Sequence, residues 1–235
     1  AGIATCGLTS AGAAWCWGGN SNGNLGNGTQ WEGSDIPAPV MTSAKFISIS
    51  IGQISACGVS TARDALCWGN NWYGQLGIGS AGGSGGVADS YSPVAVLGGL
   101  KFERIATDGP HVCAMQNDGT VYCWGYGADI GTGAIDGYVS LPVRVDYTGS
   151  PWVSLAVGYD ETCAITEAGA LDCWGQGSST MPISTGRSIV RIKSKQPFTA
   201  YALGGSHACA IGADGFAYCW GQNYHGQVGR PPSDP

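Results

Sequence analysis

The stretch from Cys113 to Cys123 reads Cys-Ala-Met-Gln-Asn-Asp-Gly-Thr-Val-Tyr-Cys, and Trp124-Gly125 follows it directly. Its Asn-Asp-Gly triplet predicts a three-residue hairpin loop, a type I turn whose glycine adopts the left-handed conformation. That loop sets a register in which Cys113 lies directly opposite Cys123. A two-residue loop would shift the register by one residue and put the two cysteines on opposite faces. Since directly opposed cysteines lie within bridging distance, the stretch predicts a cross-strand disulfide.

This cysteine pattern recurs five times, and Trp-Gly follows the second cysteine of every pair. The pairs are Cys6 with Cys16, Cys57 with Cys67, Cys113 with Cys123, Cys163 with Cys173, and Cys209 with Cys219. We expect five hairpin disulfides, each contributing about 2–3 kcal/mol in the chain-entropy picture. Zinc binding and buried reduced thiols are the alternatives, but zinc sites favour cysteines two to four residues apart. An even set of paired cysteines indicates an oxidising compartment, so we expect a secreted, extracellular or periplasmic protein.

The turn position of Gly119 is occupied by glycine in three other copies, as Gly12, Gly169 and Gly215. In the second copy Arg63 stands there instead. Side chains other than glycine disfavour the left-handed conformation. We therefore expect the second hairpin to turn differently from the others.

The residues around each pair extend the repeat to about fifty positions. A Pro followed by a β-branched residue comes first, as in Pro93-Val94, and an alternating stretch such as Phe46–Ile51 comes next. With the cysteine hairpin, each unit reads as four short strands, the first of them beginning at the Pro. The chain has 41 glycines and 11% charged residues, a composition typical of an all-β sandwich, barrel or propeller.

The segment after Trp68-Gly69 reads Asn-Asn-Trp-Tyr-Gly-Gln-Leu-Gly-Ile-Gly, and close copies follow two other Trp-Gly pairs. This string resembles the regulator of chromosome condensation (alpha-tubulin suppressor-like) repeat, and paired cysteines resemble secreted bacterial members of that family. His111 and His207 match the family's histidine ahead of the next strand. The resemblance implies a β-propeller in which each repeat contributes one four-stranded antiparallel blade or parts of two neighbouring blades.

We expect one propeller domain over residues 1–235, built from about five repeats. They are centred on residues 6–16, 57–67, 113–123, 163–173 and 209–219. A closed five-bladed ring is slightly favoured, because a stable repeat protein must hide its terminal faces. The alternative is an arc of a longer, seven-bladed propeller. The tryptophan after each second cysteine is expected in the core.

Composition and motifs exclude several functional classes. The formal net charge is −6, and no broad basic face is evident, which argues against nucleic-acid binding. No apolar run approaches the ~20 residues of a membrane span. The sequence contains no nucleophile elbow, zinc-protease motif, phosphate loop or repeated carboxylate pair. We therefore expect no cofactor, no metal and no enzymatic activity.

Two sets of residues are candidates for binding. The first consists of loop aromatics that follow their Trp-Gly pairs within a few residues and so share one rim of the propeller: Trp72, Tyr73, Tyr126 and Tyr224. Aromatic side chains on propeller rims suit protein hot spots and sugar stacking alike. We expect a binding module for a protein or surface partner, with a carbohydrate-binding lectin as the alternative.

The second set is a basic cluster formed by Arg187, Arg191, Lys193 and Lys195. The last three alternate with Ile192 and Ser194, which predicts that they line one face of a strand. A row of lysines commonly guards an exposed sheet edge against aggregation. The functional interpretation is a patch for anions or acidic glycans.

Overall fold

The computed structural model describes residues 4–82, 89–132, 137–176, 189–205 and 207–231. These residues form antiparallel sheets, five in number, that lie in chain order like the blades of a β-propeller. No helix in these ranges is long and apolar enough to cross a membrane.

Three central sheets have four strands each. They are β4 (Phe46–Ile51), β5 (Ser55–Ser60), β6 (Ala65–Gly69) and β7 (Ser90–Ala95); β8 (Arg104–Asp108), β9 (His111–Met115), β10 (Val121–Tyr126) and β11 (Tyr138–Arg144); and β12 (Trp152–Val157), β13 (Glu161–Thr166), β14 (Leu171–Gly175) and β15 (Val190–Arg191). A short 3-10 turn, Gly127–Asp129, follows β10.

The first and last sheets have three described strands each. They are β1 (Ala4–Leu8), β2 (Ala14–Gly18) and β3 (Ser34–Pro39); and β16 (Phe198–Leu203), β17 (His207–Gly212) and β18 (Ala217–Gly221). The expected four-stranded antiparallel blade is thus present in full in the central three sheets.

The sequence unit and the structural blade are offset by one strand. The strand that contains Pro93 pairs with the preceding hairpin, since Val94 lies opposite Cys67, and Val143 lies opposite Cys123 in the same way. These strands begin before the Pro, at Ser90 and Tyr138, and not at it as expected, and each completes the blade before it rather than opening the next one. A fifty-residue repeat spans parts of two blades, and this ties successive blades together covalently.

The cysteine hairpins have the predicted register. Each first cysteine is the direct cross-strand partner of the second, with Cα atoms 4.1 Å apart, and all five pairs are disulfide-bonded. In the third hairpin, Gly119 has φ +83° and donates its N–H to the carbonyl of Gln116 at 3.1 Å.

The expectation for the second hairpin was wrong. Arg63 adopts φ 67° and donates its N–H to the Ser60 carbonyl at 2.9 Å, which is the same turn that glycine makes elsewhere. Its guanidinium forms an ion pair with Glu103, which directly precedes β8 of the next blade. The register imposed by the strands and the disulfide outweighs the backbone preference of arginine at this position.

Aromatic pairs lie in the cores of the last four sheets. An aromatic at or just before the first strand lies beside the tryptophan that follows the second cysteine, with ring centroids 6.1 Å apart for Phe46 and Trp68 and 6.2 Å apart for Phe102 and Trp124. Trp68, Trp124 and Trp174 are fully buried, as expected for the core, whereas Trp17 and Trp220 are only partly buried. Burying side chains of this size accounts for much of the apolar stabilisation of a blade.

Neighbouring blades pack through the first strand of each sheet, which we call the inner strand: β4, β8, β12 and β16. Strand β8 contacts β4 on one side and β12 on the other, and β12 contacts β16. Strand β1 of the first sheet also contacts β4, but among the described residues the first and last sheets do not pack against each other to a comparable extent. The side chain of Phe216 in the last sheet is 69% exposed. The described residues therefore form a row of five blades, and they do not support the preference for a closed five-bladed ring.

Candidate functional site

The two ends of the blades carry different kinds of connection. At one end lie the segments after each Trp-Gly pair and the turns that leave the inner strands; we call this end the loop rim. Its described segments are 19–33, 52–54, 70–82, 109–110, 127–132, 158–160, 204–205 and 222–231. At the other end lie the turns of the cysteine hairpins and the segments that enter the inner strands; we call this end the hairpin rim.

A buried asparagine organises the long loops of the loop rim. Asn71 accepts the N–H of Leu76 at 3.1 Å and donates to the carbonyl of Ser80 at 3.1 Å, so it bridges the two arms of its loop. Asn20 and Asn223 make the equivalent pair of bonds in the first and last sheets. Because buried amides with satisfied hydrogen bonds fix a backbone, these loops are rigid platforms for their exposed side chains.

The loops of the first two sheets are also hydrogen-bonded to the tryptophan of the next blade. The indole N–H of Trp124 donates to the carbonyl of Gln75 at 2.8 Å, and Trp68 donates to Asn24 at 3.0 Å in the same way. Gly77 has φ +67°, and a Cβ there would lie 3.1 Å from the Trp124 indole nitrogen. The glycine is required by both its backbone conformation and the approach of the tryptophan.

The third loop departs from this plan. It is shorter, and Asp129-Ile130-Gly131 takes the place of Gln75-Leu76-Gly77. Asp129 is fully buried and accepts the N–H of Gln176 at 3.2 Å through Oδ1, while its Oδ2 lies 4.0 Å from His111 Nδ1. His111 is also fully buried, and its Nε2 is 2.7 Å from the Thr162 hydroxyl.

A cluster of tyrosines lies on the loop rim beside this third loop. Tyr126 and Tyr138 are direct partners across β10 and β11. Tyr73, from the loop of the preceding blade, packs edge-on against both, with ring centroids 5.7 Å from Tyr126 and 5.5 Å from Tyr138. We call these three residues the tyrosine cluster. It joins two blades, and Tyr138 keeps 46% of its surface exposed.

The four predicted rim aromatics have different surroundings. Tyr73 and Tyr126 meet in the tyrosine cluster, and Trp72 directly precedes Tyr73 in the chain with its side chain 50% exposed. Tyr224 is 46% exposed in the loop of the last sheet, and no contact with the cluster brings it into the same group. Whether these residues bind a partner stays a prediction.

Two loop aromatics outside the predicted set of four also lie on or beside the loop rim. Tyr138 joins the cluster because β11 pairs with β10, a pairing between segments separated by the variable third loop. Trp31 is 75% exposed and adopts φ 70°, held by its N–H donating to the Asn20 carbonyl at 2.8 Å. An aromatic residue inside a loop rich in glycine and asparagine is the signal that points to Trp31.

Carboxylates accompany the tyrosines. Burial and the neighbouring hydroxyls of Tyr159, Tyr138 and Tyr126 raise the pKa of Tyr73, and Asp160 adds to this rise. Burial also raises the pKa of Asp160 itself. The turn that contains Tyr159 and Asp160 lies against the third blade beside the cluster, since a Cβ at Gly109 would lie 2.7 Å from the Tyr159 carbonyl and Tyr126 donates its N–H to the Pro110 carbonyl at 3.0 Å.

Two further acids belong to the same region. Burial, with the Asp160 charge in addition, raises the pKa of Asp129 to about 7 and that of Glu161 to about 7. Burial lowers the pKa of His111 to about 3, so this imidazole is neutral at physiological pH. One oxygen of each carboxylate, Asp129 Oδ2 and Glu161 Oε2, is buried without a hydrogen-bond partner among the described residues.

The basic cluster is not arranged as a strand face. Strand β15 contains only Val190–Arg191, and Lys193 and Lys195 follow in irregular chain, while Arg187 lies outside the described residues. Arg191 donates to both carboxylate oxygens of the buried Asp172, at 2.8 and 3.2 Å. Arg191 is thus occupied by an internal ion pair.

The two lysines border a recess of about 440 Å³ on the hairpin rim. Gly169, Leu171, Pro197 and Phe198 also line it. An anion-binding role for Lys193 and Lys195 stays a prediction. Across the described ranges, no group of three or more histidines, cysteines or carboxylates is arranged to hold a metal ion.

Comparison with known families gives two matches. A family model described as the regulator of chromosome condensation (RCC1) repeat matches residues 11–58, and a second RCC1 repeat model matches residues 199–227. The matched segments include the loop of the first sheet and the loop start of the last.

Three curated proteins illustrate the relatives. The chain is 29% identical over 151 residues to the RCC1 domain-containing protein RUG3, mitochondrial, of Arabidopsis thaliana, covering 62% of this chain and 33% of that protein. It is 28% identical over 153 residues to the ultraviolet-B receptor UVR8 of Arabidopsis thaliana (63% and 33%). It is 33% identical over 118 residues to the probable E3 ubiquitin-protein ligase HERC6 of Homo sapiens (48% and 11%). The matched part spans a third or less of each relative.

Solved structures share the fold. Human WBSCR16 superposes with a TM-score of 0.81 at 18% identity, covering 98% of this chain and 63% of that one. Yeast RCC1 (Prp20), solved with Kap60, gives 0.72 at 19% identity, with 86% and 50% covered. The ectodomain of the Arabidopsis thaliana receptor kinase ACR4 gives 0.61 at 22% identity, with 94% and 65% covered. The family matches show that the chain contains RCC1 repeats, and its row of blades has the fold of the RCC1-like propellers.

Proposed function

We propose that the chain is a secreted, non-catalytic binding module that recognises a protein partner through its loop rim. The observation that carries the proposal is the tyrosine cluster, in which three rings from two blades meet beside the half-exposed Trp72. Tyrosine and tryptophan are the side chains that most often dominate protein interfaces. Trp72 and Tyr73 lie on a loop that is fixed by the buried Asn71, and Tyr126 and Tyr138 lie at the ends of paired strands, so these side chains lose little conformational entropy when a partner binds.

The disulfides support the proposed compartment. All ten cysteines are paired, and the described chain has no free thiol. Structural disulfides persist in oxidising environments and are rare in the cytosol and nucleus. An extracellular or periplasmic location follows from this argument.

Structural neighbours of this chain bind proteins. Yeast RCC1 (Prp20) was solved bound to Kap60, and Prp20p of Saccharomyces cerevisiae binds Gsp1p and histones. The HERC6 relative is named as a ligase, but the match covers 11% of it. We propose that protein binding, rather than catalysis, is what this chain shares with such proteins, and that its partner is extracellular.

The test is capture of a partner with matched variants. The full oxidised chain is immobilised and exposed to secreted and cell-surface proteins from its source, and retained proteins are identified by mass spectrometry. The variant Trp72→Ala removes an exposed aromatic from the loop rim. The control, Phe216→Ala, removes an aromatic side chain that is 69% exposed on the hairpin rim.

We expect Trp72→Ala to weaken retention at least about fivefold, as for a moderate hot spot. Phe216→Ala should retain the partner like the original chain. Equal losses in both variants, or none in either, would contradict the use of the loop rim. Retention of glycans on an array, with no protein retained, would favour the lectin alternative.

A further inference from the structure

The charged residues are segregated between the two rims. Among the described residues, the loop rim and the strand ends that border it have one arginine, Arg230, and seven carboxylates: Glu32, Asp35, Asp89, Asp108, Asp129, Asp160 and Glu161. All four lysines of the chain lie at the hairpin rim: Lys45, Lys101, Lys193 and Lys195. The sign of the local field therefore differs between the two ends, and cations are attracted to the loop rim.

The tyrosine cluster lies within this negative rim. Its rings meet edge to face, with interplanar angles of 68° and 82°, so ring faces with their negative quadrupole are not all covered by each other. Tyr138 and Tyr159 are 46% and 44% exposed, and both lie close to Tyr73. Exposed tyrosine faces beside a carboxylate attract a cationic side chain.

The carboxylates next to the cluster are incompletely neutralised. Asp160 is half-buried at the rim. Its neighbours Asp129 and Glu161 form no ion pair with lysine or arginine among the described residues. On the hairpin rim, by contrast, Arg63, Lys101 and Arg191 are each paired with an acid. Carboxylates without a basic partner are thus concentrated near the exposed tyrosines.

We infer that the tyrosine cluster and Asp160 form a site for an arginine side chain carried by a basic segment of the protein partner. This inference rests on the proposed function and names the chemistry that its surface selects. A guanidinium is planar, stacks on tyrosine faces and donates paired hydrogen bonds to a carboxylate. Both kinds of group lie together here, at the junction of the second, third and fourth blades.

The experiment uses fluorescence anisotropy with the full oxidised chain. The probe is a labelled heptapeptide that alternates glycine and arginine, and its matched control carries citrulline, which keeps the shape of arginine without the charge. Asp160→Asn and Tyr138→Ala are compared with Glu167→Gln and Tyr218→Ala. The two controls remove an exposed acid and a 41%-exposed tyrosine away from the loop rim.

We expect the arginine peptide to bind at least about tenfold more tightly than the citrulline peptide, and Asp160→Asn and Tyr138→Ala each to weaken it at least about threefold. Glu167→Gln and Tyr218→Ala should bind like the original chain. Tyr138→Phe should keep most of the affinity, because the ring face is retained.

Equal binding of the two peptides, or no binding of either, overturns the inference. A loss in Glu167→Gln as large as in Asp160→Asn also overturns it, since only net charge would then matter. The proposed function fails separately. If the captured partner still depends on Trp72 while arginine is not preferred over citrulline, protein binding stands and the arginine site does not.

Discussion

At the scale of single residues, the left-handed glycines of the hairpin turns differ in their surroundings. Gly119 has φ +83°, and a Cβ there would lie 2.7 Å from the Trp152 carbonyl of the next blade. Gly215 has φ +81°, and a Cβ there would meet nothing within 4 Å. The two positions therefore separate backbone strain from packing between blades.

Gly215→Ala should lower the free energy of unfolding by about 1–2 kcal/mol, the cost of a left-handed alanine. Gly119→Ala should cost about 1–3 kcal/mol more, because the added methyl overpacks the contact with the next blade. Urea unfolding measures both. Equal losses would show that the hairpin turn does not pack on the neighbouring blade.

The buried Asp129 gives stability a specific pH dependence. Burial raises its folded pKa to about 7 from 3.8, so between these values the native state binds more protons than the unfolded state. Its contribution to stability therefore falls as pH rises from about 4 to about 7 and stays low above 7. Asparagine at this position keeps an acceptor for the Gln176 N–H and does not titrate.

Asp129→Asn should gain stability relative to the original chain across this window, by at most about 4 kcal/mol at pH 8, and should match it most closely near pH 4. Thermal or urea unfolding at pH 4 to 8 measures the difference, with the exposed Glu167→Gln as control. Parallel profiles for the Asp129 variant and the original chain would contradict the burial argument.

Sequence reasoning at this scale succeeded where local chemistry decides. The Asn-Asp-Gly turn fixed the partnership of Cys113 with Cys123. It failed at Arg63, because the paired strands and the disulfide impose the turn despite the residue. It also missed the burial of Asp129 against His111, which depends on a shortened loop and on contacts with a neighbouring blade.

At the scale of elements, each cysteine hairpin is cross-linked within itself by its own disulfide. Peptide mapping of the unreduced chain should give five linkages, each within one hairpin. Replacing Cys113 and Cys123 together by alanine should cost about 2–3 kcal/mol. The rest of the chain should stay folded, because repeat proteins are stabilised mainly by contacts between neighbours. A linkage between hairpins, or global unfolding of the variant, would contradict this.

Strand order was only partly accessible from the sequence. The Pro-led strands were recognised, but pairing of Val94 with Cys67 assigns them to the preceding blade, and no local pattern reveals that partner. The alternation of Arg191, Lys193 and Lys195 predicted a strand, whereas β15 ends at Arg191. The ion pair of Arg191 with Asp172 bridges neighbouring strands, which composition does not reveal.

At the scale of the whole molecule, repetition predicted the propeller blades, and divergence between repeats produced the site. Tyr73, Tyr126 and Tyr138 come from two blades and three segments of the chain. Repeat equivalence placed the first two on one rim but could not show that their rings touch. The segregation of charge emerges only when strand direction assigns each segment to a rim.

The central claim is that this rim is the recognition surface, and amide hydrogen exchange with and without the captured partner tests it most directly. We predict slower exchange on binding in residues 70–82, 125–132 and 158–160 of the loop rim. The hairpin turns at 61–64, 117–120 and 167–170 should be unchanged. Protection confined to those turns, with the loop rim unchanged, would contradict the account.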